Sequence, residues 1–394
     1  MSNSSSSIQP KQPPKNLSGT SKLQTPASLK PSGDLKSIPL IPMHEANMQS
    51  ANPVSQLHLN ITQAPPVQLN EIPPWLQGID WSKSRVSTRS EIGEDGVYFI
   101  RSRDMRFVIK GSKRAEEEMF YNYFAQEFGL NSPEMIGLSA GCQEWTELVA
   151  AVDQGISELN IKLHEKISVE LVKDEEKQNI WLTEQNGLHL SEKTSLLVMS
   201  MIEGYSLKEI NLFNLNKLFR EQSKFSPRGI KMLEDLGKCI VMDLVIGNLD
   251  RFNLAGIDGI PNDEKYWGNM GNFMFSEQGF HVIDTTDVRS GDENVNEGAL
   301  FEALKSLADI KENLAERVRC TLFTDDNEFD IGVQGKECVM EGIQKGMEIF
   351  LDMDGQKFDK IVTILAKDFS NESGKIRKIA DRLIKIQQGL KVND

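Results

Sequence analysis

Asp243-Leu-Val-Ile-Gly-Asn-Leu-Asp-Arg-Phe-Asn253 is the stretch on which the reading of this chain turns. It closes a run that starts at Ser226-Pro227 and places apolar residues at Ile230, Leu233, Leu236, Ile240, Leu244 and Ile246, the spacing of one helix face. The helix breaks at Gly247-Asn248 and presents Asp250-Arg251 in a loop. Downstream come Gly271-Asn-Phe-Met-Phe275 and His281-Val-Ile-Asp284, two short apolar runs separated by the turn Ser276-Glu-Gln-Gly279. These read as a hairpin with Asn272 at the start of one strand and Asp284 at the end of the other. A hairpin brings those two ends together, with Asp250 facing them from the preceding loop.

Upstream, Gly96-Val-Tyr-Phe-Ile-Arg101 and Met105-Arg-Phe-Val-Ile-Lys110 are β-rich runs around the turn-like Ser102-Arg-Asp104, so a second hairpin is expected there. From Arg114 to Phe128 the apolar positions Met119, Phe120, Tyr123, Phe124 and Phe128 predict an amphipathic helix stopped by Gly129. Pro133 to Leu138 is a strand candidate, and Ser195 to Ile202 reads as a buried strand ending at Glu203-Gly204. Helices are expected over Leu207 to Leu218, Phe358 to Phe369 and Ile376 to Leu390, and from Glu147 to about Leu163 inside a charged stretch, 140–192, that looks like an insertion. The plan is α+β and two-lobed, a β-rich first lobe and a helical second lobe.

Phosphoryl transfer requires a carboxylate for the acceptor hydroxyl, oxygen ligands for magnesium and a cation on the nucleotide phosphates. Lys110 ends a strand, and Glu118 lies eight residues on in the following helix, where an ion pair can aim the lysine at phosphate. Asn272 and Asp284 are candidates to share magnesium, and Asp250 is the candidate base. Each has a bland alternative: Asp250 as a turn cap, Asn272 as an Asx-turn residue, Asp284 as a plain strand end, Lys110 and Glu118 as an incidental pair. Arg251 reads as a loop-ordering residue that pairs with a carboxylate, and Trp181 and Trp267 read as packing residues.

The order Gly-Asn-x-Asp-Arg, then Asn before a strand, then Ile-Asp resembles kinases of the phosphatidylinositol-kinase-like branch, and within it the actin-fragmin kinase catalytic family. The likeness also covers Val97-Tyr-Phe-Ile100, Val108-Ile-Lys-Gly-Ser112, Glu118-Met-Phe120, Leu130-Asn-Ser-Pro133, Leu197-Val-Met199 and Glu203-Gly-Tyr-Ser-Leu207, across roughly 95–290 with 140–192 unmatched. The resemblance implies a two-lobed protein-kinase-like fold and ATP with Mg2+ as cofactors. It implies Asp250 as catalytic Asp, Asn272 and Asp284 as metal ligands, Lys110 as the phosphate-binding lysine and Glu118 as its partner. Met201, Glu203 and Gly204 would lie in the hinge that contacts adenine. Two departures stand out: Asn272 follows Asp250 at long range, leaving Asn253 as a competing ligand, and Gly93 and Gly96 are the nearby glycines for a phosphate loop.

Twelve of the fifteen prolines lie within residues 1–75, among Ser, Asn, Gln and Thr. Such a segment cannot bury enough apolar surface to offset its ordering entropy, so residues 1–73 are expected to be a disordered tail. The tail reads either as a linker or as a secretion signal, since it resembles in composition the N-termini of bacterial type III effectors. The domain plan is tail, first lobe at 74–204 and second lobe at 205–394.

Net charge is −14, with residues 1–80 contributing five Lys against four acidic residues, so the body is strongly acidic. An acidic body without a basic run repels a phosphate backbone, which excludes nucleic acid as the expected partner. Four dispersed cysteines and five dispersed histidines form no disulfide or zinc spacing. No stretch has the roughly 18–20 apolar residues that span a bilayer. A cytoplasmic location is expected, in a host cell if the tail is an export signal, with a host cytoskeletal or signalling protein as substrate. The competing classes are a phosphoinositide kinase, a pseudokinase binding module and a protein adenylyl transferase. The acidic segment Thr285 to Glu297 argues against the anionic head groups of the first, and the presence of Lys110, Asp250, Asn272 and Asp284 against the second.

Overall fold

Alternation along Val97–Ser102 (β2) and Met105–Ser112 (β3) gives each strand two faces, and the sheet they build uses both. In the computed structural model the residues described are 76, 78–89, 97–102, 105–112, 114–155, 190, 195–248, 251–252, 269–284, 297–322, 329–369 and 373–392. All of them belong to one unit, Thr62–Asp394. With β1 (Arg85–Arg89), β4 (Met135–Ser139) and β5 (Ser195–Ser200), the two strands form an antiparallel sheet in the order β1-β2-β3-β5-β4.

Cross-strand register separates the two faces. Tyr98, Ile109, Val198 and Ile136 form one row, and Val97, Lys110, Leu197 and Gly137 form the adjacent row on the other side. The first face packs with Trp81 and with Leu148, Val149 and Val152 of α2, a helix over 143–155. The stretch read as an insertion therefore begins with a helix that covers the sheet, starting earlier than the expected Glu147; residues 156–189 lie outside those described.

The second face carries α1 (Ala115–Glu127), which stops at Gly129 with φ +67°. Here the expectation needs correction. The helix is not amphipathic in its surroundings but buried nearly all round, including Glu116, Glu117, Glu118 and Asn122. Phe124 meets Phe350 and Phe358, and Met119 and Phe369 crowd Gly137, so helices from the far end of the chain cover its outer side.

After β5 the chain crosses through β6 (Gly204–Ser206) into a helical lobe. The expected helix over Leu207 to Leu218 starts late, as α3 (Leu212–Phe219), because residues 207–209 form a turn and the Asn211 side chain caps the helix by accepting from the Asn214 N–H. β7 (Arg220–Glu221) and β8 (Lys224–Phe225) make a small hairpin before α4 (Pro227–Ile246). Ser226 accepts from the Gly229 N–H at 3.0 Å, Pro227 occupies the first turn and Gly247 ends the helix with φ +79°.

β9 (Phe273–Ser276) and β10 (Gly279–Val282) form the second expected hairpin, with β6 as its third strand. Helices α5 (Glu297–Lys305), α6 (Leu307–Leu322), α7 (Gly332–Asp352), α8 (Gly355–Asp368) and α9 (Ser373–Lys391) complete the lobe. α4 is its axis, with Leu233, Leu236, Ile240, Leu244 and Ile246 buried, each stabilising the fold by about 1.5–3 kcal/mol. It crosses α7 backbone to backbone: a Cβ on Gly342 would lie 2.0 Å from the Glu234 carbonyl oxygen. That close approach seats the first half of α4 against α7, and Gly247 sets where the helix ends.

Candidate active site

Lys110 sits at the end of β3 on the face that meets α1, and α1 begins five residues later, so Glu118 is delivered directly over it. The Lys110 Nζ lies 3.0 Å from Glu118 Oε2 and 2.5 Å from Asp284 Oδ1. Ser112 Oγ donates to the other Glu118 oxygen at 2.7 Å. Glu118 is buried and Lys110 largely so, with side chains 6% and 13% exposed, whereas the Asp284 side chain is 45% exposed. Burial alone pulls the lysine pKa down, but Glu118 and then Asp284 outweigh it and hold the ammonium well above its ordinary value. Burial pushes Glu118 up against the pull of Lys110.

Asp284 adopts φ +51°, a left-handed conformation that aspartate tolerates better than most residues. It is held from both sides. Its carboxylate receives Lys110, and the carbonyl of Ile283 receives Arg251 Nη2 at 2.9 Å. Arg251 is fully buried and forms an ion pair with Asp243 of α4, also fully buried. Asn248 Nδ2 adds a 3.4 Å hydrogen bond to Asp243, and Arg251 Nη1 lies 3.6 Å from the Cys239 sulfur. Burial pushes the Asp243 carboxyl up to about 6 although Arg251 pulls the other way, and Asp243 in turn keeps the guanidinium above its ordinary value despite burial.

Arg251 thus has the carboxylate partner anticipated for a loop-ordering residue. What the sequence left open was which carboxylate; Asp243 precedes it by two helical turns' worth of chain and faces it across the Gly247 break.

Asn272 ends a short 3-10 turn, Met270–Asn272, directly before β9, and is buried. Its N–H donates to the Asn269 carbonyl at 3.0 Å, while the Asn269 side chain accepts from Gly271. Strand β10 is pinned on its outer edge by Asn131 from the loop after α1. The Asn131 carbonyl accepts from the Val282 N–H at 2.9 Å and its side chain donates to the Phe280 carbonyl at 3.2 Å. That clamp was not read in the sequence, where Leu130-Asn-Ser-Pro133 stood as part of the family resemblance with no contact assigned to Asn131.

Of the residues expected at the hinge, Met201 donates its N–H to the Arg106 carbonyl at 3.2 Å, Glu203 is exposed beside Arg106, and Gly204 opens β6 opposite Ser276. Asp250, Asn253, Gly93, Gly96, Trp181 and Trp267 lie outside the described residues, as does the tail at 1–73.

The structure thus brings Lys110, Glu118 and Asp284 into contact and ties Ile283, the neighbour of Asp284, to Arg251. A family model for the actin-fragmin kinase catalytic domain matches residues 68–392. The chain belongs to that family. No curated protein matches it closely enough in sequence to count as a relative. Membership makes the chain a phosphotransferase of a protein kinase family, and the α+β arrangement of a β-rich lobe and a helical lobe agrees with it. No described helix is long and apolar enough to cross a membrane.

Among the described residues no group of three or more His, Cys, Asp and Glu side chains could hold a metal. Magnesium binds through one or two protein oxygen ligands and completes its shell with substrate phosphates and water, so the Asp284 carboxylate and the Asn272 amide oxygen are the two oxygens that could be offered to it here. The half-exposed Asp284 carboxylate, drawn toward the phosphate-binding candidate Lys110, is the donor expected on that side of a nucleotide.

Proposed function

We propose that this member of the actin-fragmin kinase catalytic family is an ATP-dependent kinase that phosphorylates a Ser or Thr hydroxyl of a protein. The observation that carries the reading is the double ion pair of Lys110 with Glu118 and Asp284, which sets a largely buried cation beside an exposed carboxylate. Lys110 neutralises nucleotide phosphate while Glu118 and Ser112 fix its direction. Asp284 and Asn272 would hold Mg2+, which when bound offsets negative charge on the phosphates. Asp250 accepts the acceptor proton as the hydroxyl oxygen bonds to the γ-phosphorus and the bond to the β-phosphate oxygen breaks, releasing ADP. The chain from Met201 to Gly204 lines the adenine side.

The test is one reaction run with ATP labelled at either the γ- or the α-phosphate in the presence of Mg2+. Transfer of the γ label supports the kinase reading, and transfer of the α label would make the chain an adenylyl transferase instead. For the acceptor, the acidic segment Thr285 to Glu297 disfavours anionic lipid head groups. The Ser- and Pro-rich composition of residues 1–73 supports export through a type III apparatus toward a host protein, and a reporter carrying this segment that stays in the bacterium would remove that part.

A further inference from the structure

Glu116, Glu117 and Glu118 are consecutive at the start of α1, and each is about 95% or more buried. Successive helical residues point about 100° apart, so a single cation on one face cannot neutralise all three. Glu118 faces the sheet, where it meets Lys110 and Ser112. Glu116 and Glu117 turn away from the sheet toward α9, where Lys375 Nζ lies 2.8 Å from Glu116 and 2.6 Å from Glu117. Arg114 adds a second cation for Glu117, but Lys375 is the one cation paired with Glu116 among the described residues.

The same helix makes a second bridge two turns further along the same face. Arg382 Nη2 donates to the Tyr121 hydroxyl at 3.1 Å and to the Ile246 carbonyl at 3.4 Å. Tyr121 belongs to α1 and Ile246 is the last residue of α4, immediately before the Gly247 break. One helix from the end of the chain therefore contacts both the element that carries Glu118 and the helix that leads to the Asp250 loop.

We infer that Lys375 is a positioning residue for phosphoryl transfer: it neutralises Glu116 and Glu117 and so keeps α1 seated with Glu118 on Lys110. This rests on the kinase reading above. Without Lys375, the Glu116 carboxylate is left buried with no cation, and the first turn of α1 relieves that cost by moving outward, which withdraws Glu118 from Lys110. In this fold the seating of α1 is then built in by α9, with no separate partner needed to press the helix inward.

The test uses the full chain with Lys375→Met, Lys375→Arg and the double variant Glu116→Gln/Lys375→Met, reading kcat and KM for ATP together with melting temperature. A wild-type chain that transfers no phosphate defeats the kinase reading and the role of Lys375 in transfer with it, whereas loss confined to the Lys375 variants bears on this inference alone. Given an active wild type, Lys375→Met is expected to lower kcat/KM for ATP about tenfold, chiefly through KM, because Lys110 loses its aim at the phosphates. Lys375→Arg should return to within about twofold of wild type, and so should the double variant, since removing the buried charge removes the need for its cation.

Wild-type kinetics in Lys375→Met overturns the inference. So does a tenfold loss that persists in a folded double variant, because the defect then comes from lost packing and not from Glu116. Because Lys375 is 42% exposed its removal opens no large cavity, and if Lys375→Met fails to fold, the arginine and double variants decide by the same criteria.

Discussion

Arg251 Nη2 donates to the carbonyl of Ile283 at 2.9 Å, joining the residue after Asp250 to the residue before Asp284. The guanidinium that makes this link is fixed at its other end by Asp243, in the last turns of α4. A buried ion pair between helix and loop therefore sets the separation of the two segments on which the proposed chemistry depends.

Breaking that pair from one side should be costly. Arg251→Met leaves the Asp243 carboxylate buried with Asn248 and Cys239 as its remaining neighbours, and is expected to destabilise the fold by about 3–5 kcal/mol in urea denaturation. The double change Arg251→Met/Asp243→Leu should recover much of this stability, because two apolar side chains replace two desolvated charges. Activity should not recover with it, since the bond to Ile283 is still lost. If the double variant regained both, the link between Arg251 and Ile283 would have no catalytic role.

Both hairpins, the start of α4 at Ser226-Pro227 and its end at Gly247 were legible because each is set by residues next to one another in the chain. So was the Lys110–Glu118 pair, since one strand followed by one helix leaves little freedom in where residue 118 lands. The burial of α1 was not legible. Periodicity reports the face a helix turns to its nearest partner, and the cover on the other face comes from Phe350, Phe358, Lys375 and Arg382, more than two hundred residues away. Three consecutive glutamates ordinarily mark a solvated face, and here the same distant cover is what makes them need Lys375. Likewise α2 hides its apolar residues Leu148, Val149 and Val152 in a charged stretch, and only the uncovered side of the sheet gives them a purpose.

His281 gives a pH signature. It lies buried in β10 with Nε2 2.7 Å from Ser276 Oγ, and burial lowers its pKa below the ordinary value of 6.5. The native state thus binds fewer protons than the unfolded chain below pH 6.5, so the stabilisation is complete above that pH and is lost as pH falls through the lowered native value. Asp243 acts with the opposite sign between its unfolded value of 3.8 and its native value of about 6, so the bare stability curve mixes the two. The difference between wild type and His281→Gln isolates the histidine. Melting temperatures from pH 7.5 to 5 should fall more steeply for the wild type, and parallel curves would mean that His281 carries no native-state pKa shift.

Nucleotide binding should separate Lys110 from Asp284. A ligand that binds the native state adds about 2.7 kcal/mol of stability at a hundredfold excess over Kd, so ATP with Mg2+ should raise the melting temperature of the wild type. Asp284→Asn is expected to abolish the part of the shift that needs Mg2+ while leaving any shift from ATP alone. Lys110→Met should abolish both, because its cation meets the phosphates directly, and should reduce turnover by at least about a hundredfold. A Mg2+-dependent shift that survives in Asp284→Asn would take Asp284 out of the metal site and leave Asn272 and Asn253 to be tested.

Asp250 poses the sharpest case, because its expected role depends on the acceptor and not on the nucleotide. A base that takes the hydroxyl proton acts in the transition state, so Asp250→Ala should lower kcat by about 10²–10⁴. KM for ATP and the thermal shift with Mg2+ should stay within about twofold, since ground-state binding loses nothing. Asp243, the nearest alternative carboxylate on α4, cannot replace it as the base, because it has no exposed surface and is committed to Arg251. Rates should therefore be measured at saturating ATP on variants whose melting temperature matches the wild type. Full transfer by Asp250→Ala under those conditions would take the base role away from Asp250 and leave Asp258, Asp263 and Glu264 of the same stretch to be tested.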